Sequence, residues 1–149
     1  MDIEYYENIK LHQKYRSRAY RLKEKEIISF SKKWDPQPYH TNPDLAKNTQ
    51  FRGLSAAGIH LVAICIKLVN EKVPRPAYIL GMGWDKVRFV APARPHDVLT
   101  VEIEAIRKRV SKSYSHAGIV RFATRLLNQY DEAVLTMEGT TLIERQSKF

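Results

Sequence analysis

A chain of 149 residues, 44% of them hydrophobic, has the length of one domain and enough apolar material for one continuous core. Its formal net charge of +9 invites a nucleic-acid reading, but the basic residues are spread along the chain (Arg16, Arg18 and Arg21; Lys32 and Lys33; Arg107, Lys108 and Arg109; Arg121 and Arg125), which argues against one and leaves a polyanionic small ligand. The acidic, polar start, the absence of a run of roughly 18 apolar residues, and a single cysteine, Cys65, inside an apolar run predict a cytoplasmic protein without membrane span, disulfide or zinc site.

Residues 1–15 carry few organised apolar positions and are expected to form an extension or short N-terminal helix packed on a single domain spanning 16–149. Residues 18–22 alternate like a strand, and Ile27, Ile28, Phe30 and Trp34 then recur at helical spacing, predicting a short amphipathic helix over 24–34. Pro36 and Pro38 must end it, since each lacks an N–H and disfavours helical geometry in the residue before it. Asn42-Pro43-Asp44-Leu45-Ala46-Lys47 reads as a capped helical turn, and residues 51–55 as a connecting loop. From Ala56 to about Lys72 apolar residues occupy nearly every face for some four turns, predicting a helix surrounded by protein. Beyond Pro74 and Pro76 the period becomes two, with strands expected over 79–90, 99–105, 120–126 and 133–143. Met82, Trp84 and Phe89 are expected to fill the core. One buried helix followed by four long strands points to an α+β fold, a curved antiparallel sheet wrapped around the helix.

Two places could carry chemistry. Asp35-Pro36-Gln37-Pro38-Tyr39-His40 holds a carboxylate and an imidazole in a loop that two prolines stiffen, so the pair could share one water and exchange protons with it near neutral pH. The same residues also suit a loop-capping Asp and a polar surface His. Ala57-Gly58 opens the long helix, where unpaired N–H groups and the helix dipole could hold an oxyanion; Gly58 could equally be small for tight packing. Gly81-Met82-Gly83 lacks the third glycine and the later acidic residue of a dinucleotide loop. His60, in an apolar helix, reads as a hydrogen-bonded core residue, and the five histidines show no metal-ligand spacing. Arg107 and Arg109, with Lys108 and Lys112, form either a solvated strand end or a contact for coenzyme A phosphates.

The six residues from Asp35 to His40 resemble the Asp-x-Asn-Pro-x-His signature of MaoC-like dehydratases and R-specific enoyl-CoA hydratases, in a variant with Gln37 at the third position. Three more segments agree in order: Gly53-Leu54-Ser55-Ala56-Ala57-Gly58-Ile59-His60 is similar to the family's helix-opening segment, residues 87–97 to its Val-Arg-Trp strand and Pro-Gly-Asp turn, and residues 118–129 to a later strand. The resemblance covers about residues 16–145. It implies a hot-dog fold, commonly dimeric, and reversible hydration of an enoyl-CoA to a 3-hydroxyacyl-CoA. By position Asp35 and His40 would hold and activate water, and the Gly58 N–H would polarise the thioester carbonyl. Gln37, Ala57, Trp84, Arg107 and Arg109 would contact the substrate, with Trp84 lining an acyl tunnel; coenzyme A enters as part of the substrate, and neither cofactor nor metal is expected. A thioesterase of the same fold and a non-catalytic acyl-CoA or nucleic-acid binding module are the competing readings. Three departures stand out: Gln37 is longer than the usual Asn, Ala57 lacks a frequent hydroxyl, and His96 replaces a turn glycine.

Overall fold

Each change of period along the chain produces the element it dictates. In the computed structural model, which describes residues 2–146, the chain runs through β1 (Ile3–Glu4), a 3₁₀ turn (Tyr6–Asn8), β2 (Tyr15–Arg16), β3 (Tyr20–Arg21), α1 (Glu24–Trp34), α2 (Pro38–Thr41), α3 (Pro43–Ala46) and α4 (Gly58–Asn70). It continues through β4 (Arg75–Pro76), β5 (Tyr78–Phe89), β6 (Val98–Val110), β7 (Ala117–Leu127) and β8 (Ala133–Glu144). Residue 1 and residues 147–149, at the ends of the expected extension and domain, lie outside the described residues.

The long strands make one antiparallel sheet in the order β2-β6-β7-β8-β5, with β3 also pairing to β6. Register puts Val101 opposite Leu126 and Leu126 opposite Leu135, a row that faces α4. There Leu61, Ile64, Cys65 and Leu68 of the helix meet Leu99, Val101, Ile103, Leu126 and Leu135 in one core. The chain is thus α+β, with the sheet wrapped around α4 in the hot-dog arrangement. The Cys65 thiol is fully enclosed in that core, which pushes its pKa up to about 12.

α4 is not surrounded on every side: Ile59 and Ala63, four apart, share an exposed face. The helix lies on a single sheet layer, so hydrophobicity all round overstates its burial. Met82, Trp84 and Phe89 do not fill the core either; they are 53%, 55% and 55% exposed. They belong to β5, the edge strand, whose outer side has no partner among the described residues and whose apolar residues therefore stay open. Trp34, at the end of the predicted amphipathic stripe, is likewise exposed.

Residues 2–15 lie against the sheet as strand and turn rather than as a helix. β1 runs parallel to β4, Ile9 is buried with Ala105, Val120 and Ile143, and Lys108 Nζ donates to the carbonyls of Tyr6 and Ile9. Gly118 permits the contact: a Cβ there would come within 2.1 Å of the Tyr6 ring.

The core predicts a contrast between two leucines of equal chemistry. Leu68→Ala, at a fully buried site on α4, should cost about 2–5 kcal/mol, whereas Leu45→Ala, on the open face of α3, should stay within about 0.5 kcal/mol. Denaturant unfolding of the two variants against the parent checks both.

Candidate active site

The placement of Asp35 follows from where α1 must stop. Glu24 and Glu26 in its first turn and Lys32 and Lys33 in its last suit the helix dipole, and the prolines beyond forbid a further turn. Asp35 becomes the C-cap, its N–H donating to Ser31 O at 2.9 Å and its carbonyl accepting from Gln37 N at 2.8 Å. The motif is not a plain loop: Pro38 starts the helical turn α2, and His40 rides on it. Proline at the first helical position supplies the φ that the turn needs, so residues 38–41 coil where the sequence suggests irregular chain.

His40 is 7% exposed, so its ring nitrogens need partners. Nδ1 lies 2.6 Å from the Ser55 carbonyl, an acceptor only, so the proton sits on Nδ1 in the neutral ring. Ser55 N donates back to Tyr39 O at 3.0 Å, closing a two-bond clasp between α2 and the segment before α4. Nε2 is left facing Asp35 Oδ2 at 3.7 Å. That separation is too long for a direct hydrogen bond and too short to hold a water in line between the two atoms, but a water seated beside the pair can reach both groups. The Tyr39 ring stands edge-on to His40, 4.5 Å between centroids, and packs against Phe51.

Gln37 joins the site through its backbone, its carbonyl accepting from His40 N at 3.0 Å and Thr41 Oγ1 at 3.1 Å; its side chain is exposed. Three residues beyond Ser55, α4 begins. Ala57 is its buried N-cap and has no hydroxyl to offer, and among the described residues no acceptor engages Gly58 N or Ile59 N. Those donors and the helix dipole remain available to a developing oxyanion. Gly58 also meets a packing demand, since a Cβ would come within 2.5 Å of the Phe89 ring.

Two groups went unnoticed as site supports. Arg94 Nη1 donates to the carbonyls of Gly53 at 2.9 Å and Leu54 at 3.3 Å, and its Nη2 to Phe51 O, fixing the loop that presents Ser55. Asp97 Oδ2 holds Arg94 N at 2.8 Å across a turn in which His96 takes a left-handed φ of 72°. The turn thus keeps the glycine-like backbone despite its side chain. The only signal in the sequence was the Arg94-Pro95-His96-Asp97 turn itself.

His60 lies one turn into α4, 3% exposed, with Nε2 3.1 Å from Glu26 Oε1 and its ring stacked on Phe30. It is the hydrogen-bonded core histidine that its apolar surroundings predict. Trp84 stands apart from the pair, on the sheet face that meets α4, beside a cavity of about 310 Å³ shared with Ile66, Val69, Phe122 and Met137. Arg107 and Arg109 are not brought to the pair. A bulge after Ala105 turns Lys108 toward the N-terminal segment and these arginines to the opposite sheet face, beside Arg121 and Thr140.

The geometry can be set beside known proteins. A family model described as a MaoC like domain matches residues 7–124. The chain is 27% identical over 134 residues to the uncharacterized protein YdeM of Bacillus subtilis (strain 168), covering 89% of this chain and 94% of that one. A MaoC-like dehydratase from Rhodospirillum rubrum superposes with a TM-score of 0.91 at 29% identity, covering 97% of this chain and 99% of its own. The R-hydratase PhaJ1 from Pseudomonas aeruginosa superposes with a TM-score of 0.78 at 25% identity, covering 95% and 86%.

Burial lowers the His60 pKa below its ordinary 6.5, with the Glu26 carboxylate opposing the shift. The unfolded chain then binds the proton more readily, so the stability tied to His60 is present above about pH 6.5 and is lost as pH falls. The thermal midpoint should drop between about pH 7 and about pH 5, and drop less in His60→Gln, which cannot titrate. Thermal melts of the two proteins across that range check it.

Proposed function

Because the chain belongs to the family of MaoC-like domains, we propose that it catalyses the reversible addition of water to an enoyl-CoA, giving a 3-hydroxyacyl-CoA. The observation that carries this reading is the 3.7 Å gap between Asp35 Oδ2 and His40 Nε2, with His40 already anchored through its other nitrogen. A water seated beside the pair meets an acceptor on each group. Its oxygen adds to C3 of the enoyl group, the pair takes up its proton, and a proton is returned to C2. Charge accumulating on the thioester oxygen during the addition meets the Gly58 N–H and the positive end of α4. The addition is redox-neutral, and an acid–base pair with an oxyanion donor supplies its chemistry.

The acting form in this proposal is a homodimer. β5, 12 residues long, offers a backbone edge unpaired among the described residues, and Leu80, Met82, Trp84 and Phe89 along it are more than half exposed or nearly so. The 310 Å³ cavity opens beside the same edge, lined largely by apolar side chains. A second copy pairing strand to strand covers both.

Hydration followed by loss of the enoyl ultraviolet absorbance tests the reaction. Asp35→Ala and His40→Ala should each lower kcat by about 10²–10⁴-fold, and wild-type rates in both would remove the mechanism. A thiol reagent should detect no free coenzyme A; its release would make the protein a thioesterase. Sedimentation should give about twice the 17.3 kDa chain mass, and Leu80→Lys with Met82→Lys should return the protein to a monomer.

A further inference from the structure

We propose that Glu26 and His60 form a clamp that positions Asp35 against His40, so that both are positioning residues of the acid–base pair. The inference rests on the hydration reading above for its effect on rate, but the clamp itself is a matter of geometry.

His40 takes its place from the Ser55 carbonyl, whereas Asp35 takes its place from α1. The gap between them therefore depends on how α1 docks against the start of α4. Ile27 buries α1 without fixing its direction, since apolar contact is non-directional. The directional contacts are all on one face, one turn apart: Glu26 Oε1 accepts from His60 Nε2 and from the Tyr20 hydroxyl, and Phe30 stacks on the His60 ring at 4.3 Å and 10°. Asp35 lies nine residues beyond Glu26, roughly 13 Å along the helix, so a tilt of about 5° about the clamp shifts it by about 1 Å. A displacement of that size costs up to about 10²-fold in rate.

A second observation points the same way. His60 Nδ1 is buried without a partner among the described residues. A leucine would fill the space and leave no unpaired acceptor, so stability alone does not explain a histidine here. The groups around it are Glu26 from α1, Tyr20 behind Glu26 with Arg18 against its ring, and His40 from α2. Burial favours the neutral His60 ring, whose Nε2–H then donates to Glu26 and which places no positive charge near His40.

The test compares Glu26→Ala and Glu26→Gln with the parent, by enoyl-CoA hydration kinetics well below the unfolding temperature and by amide hydrogen exchange. Glu26→Ala should lower kcat by about tenfold or more with KM within about twofold, and should speed exchange over residues 35–42 by about tenfold while β7 is unchanged. Glu26→Gln, whose amide oxygen still accepts from His60, should restore most of both. Parental kcat and exchange in Glu26→Ala overturn the proposal, as does exchange that quickens everywhere without rescue by glutamine. If the parent itself hydrates no enoyl-CoA, the hydration reading fails and the exchange comparison alone decides the clamp. Should Glu26→Ala not fold, Tyr20→Phe removes one of the two donors to Glu26 and carries the same comparison, with an expected fall of about threefold.

Discussion

The bond from His40 Nδ1 to the Ser55 carbonyl is the interaction on which the rest of the site depends. It satisfies a buried ring nitrogen, selects the tautomer that leaves Nε2 as an acceptor, and ties the short turn α2 to the chain just before α4. Without it, a ring only 7% exposed would hold an unpaired polar atom, at a cost of about 1–3 kcal/mol, and would have no fixed direction in which to present its other nitrogen.

Around that bond the fold divides the labour. The sheet and α4 make a core whose role is to fix the N-terminal end of α4 in space, where no acceptor among the described residues engages Gly58 N. Arg94, held by Asp97, gathers the carbonyls of Phe51, Gly53 and Leu54 and so fixes the approach to Ser55. α1 delivers Asp35 from the other side. Asp35 and His40, the proposed acid–base pair, arrive on separate elements, and their spacing is a property of packing between those elements rather than of the six-residue motif alone.

That distinction explains what the sequence made legible. Period-two alternation located β6 and β7, the turn segments around Pro92 and Asn128 set off β5 and β8, and the α1 boundaries followed from helical spacing and Pro36. Asp35, His40 and Gly58 could be singled out because prolines and a helix start are local signals. Burial along β5 could not be read, because alternation tells which residues share a face and not whether the strand lies at an edge, so Met82, Trp84 and Phe89 were assigned to a core they do not enter. The partners of His40 and His60 escaped for another reason: a backbone carbonyl leaves no mark in a sequence, and Glu26 lies 34 residues from His60. The sheet face taken by Arg107 and Arg109 was not legible either, because a bulge resets which face a strand residue takes.

In the proposed reaction Asp35, His40 and Gly58 add water across a thioester-conjugated double bond. A short trans-2-enoyl-CoA incubated with the protein in deuterium oxide, with the product read by NMR, puts that reaction to the test. The expected product is a 3-hydroxyacyl-CoA with deuterium at C2, on one face only, and the thioester intact. Free acid and coenzyme A, or unchanged enoyl-CoA without product, would contradict it.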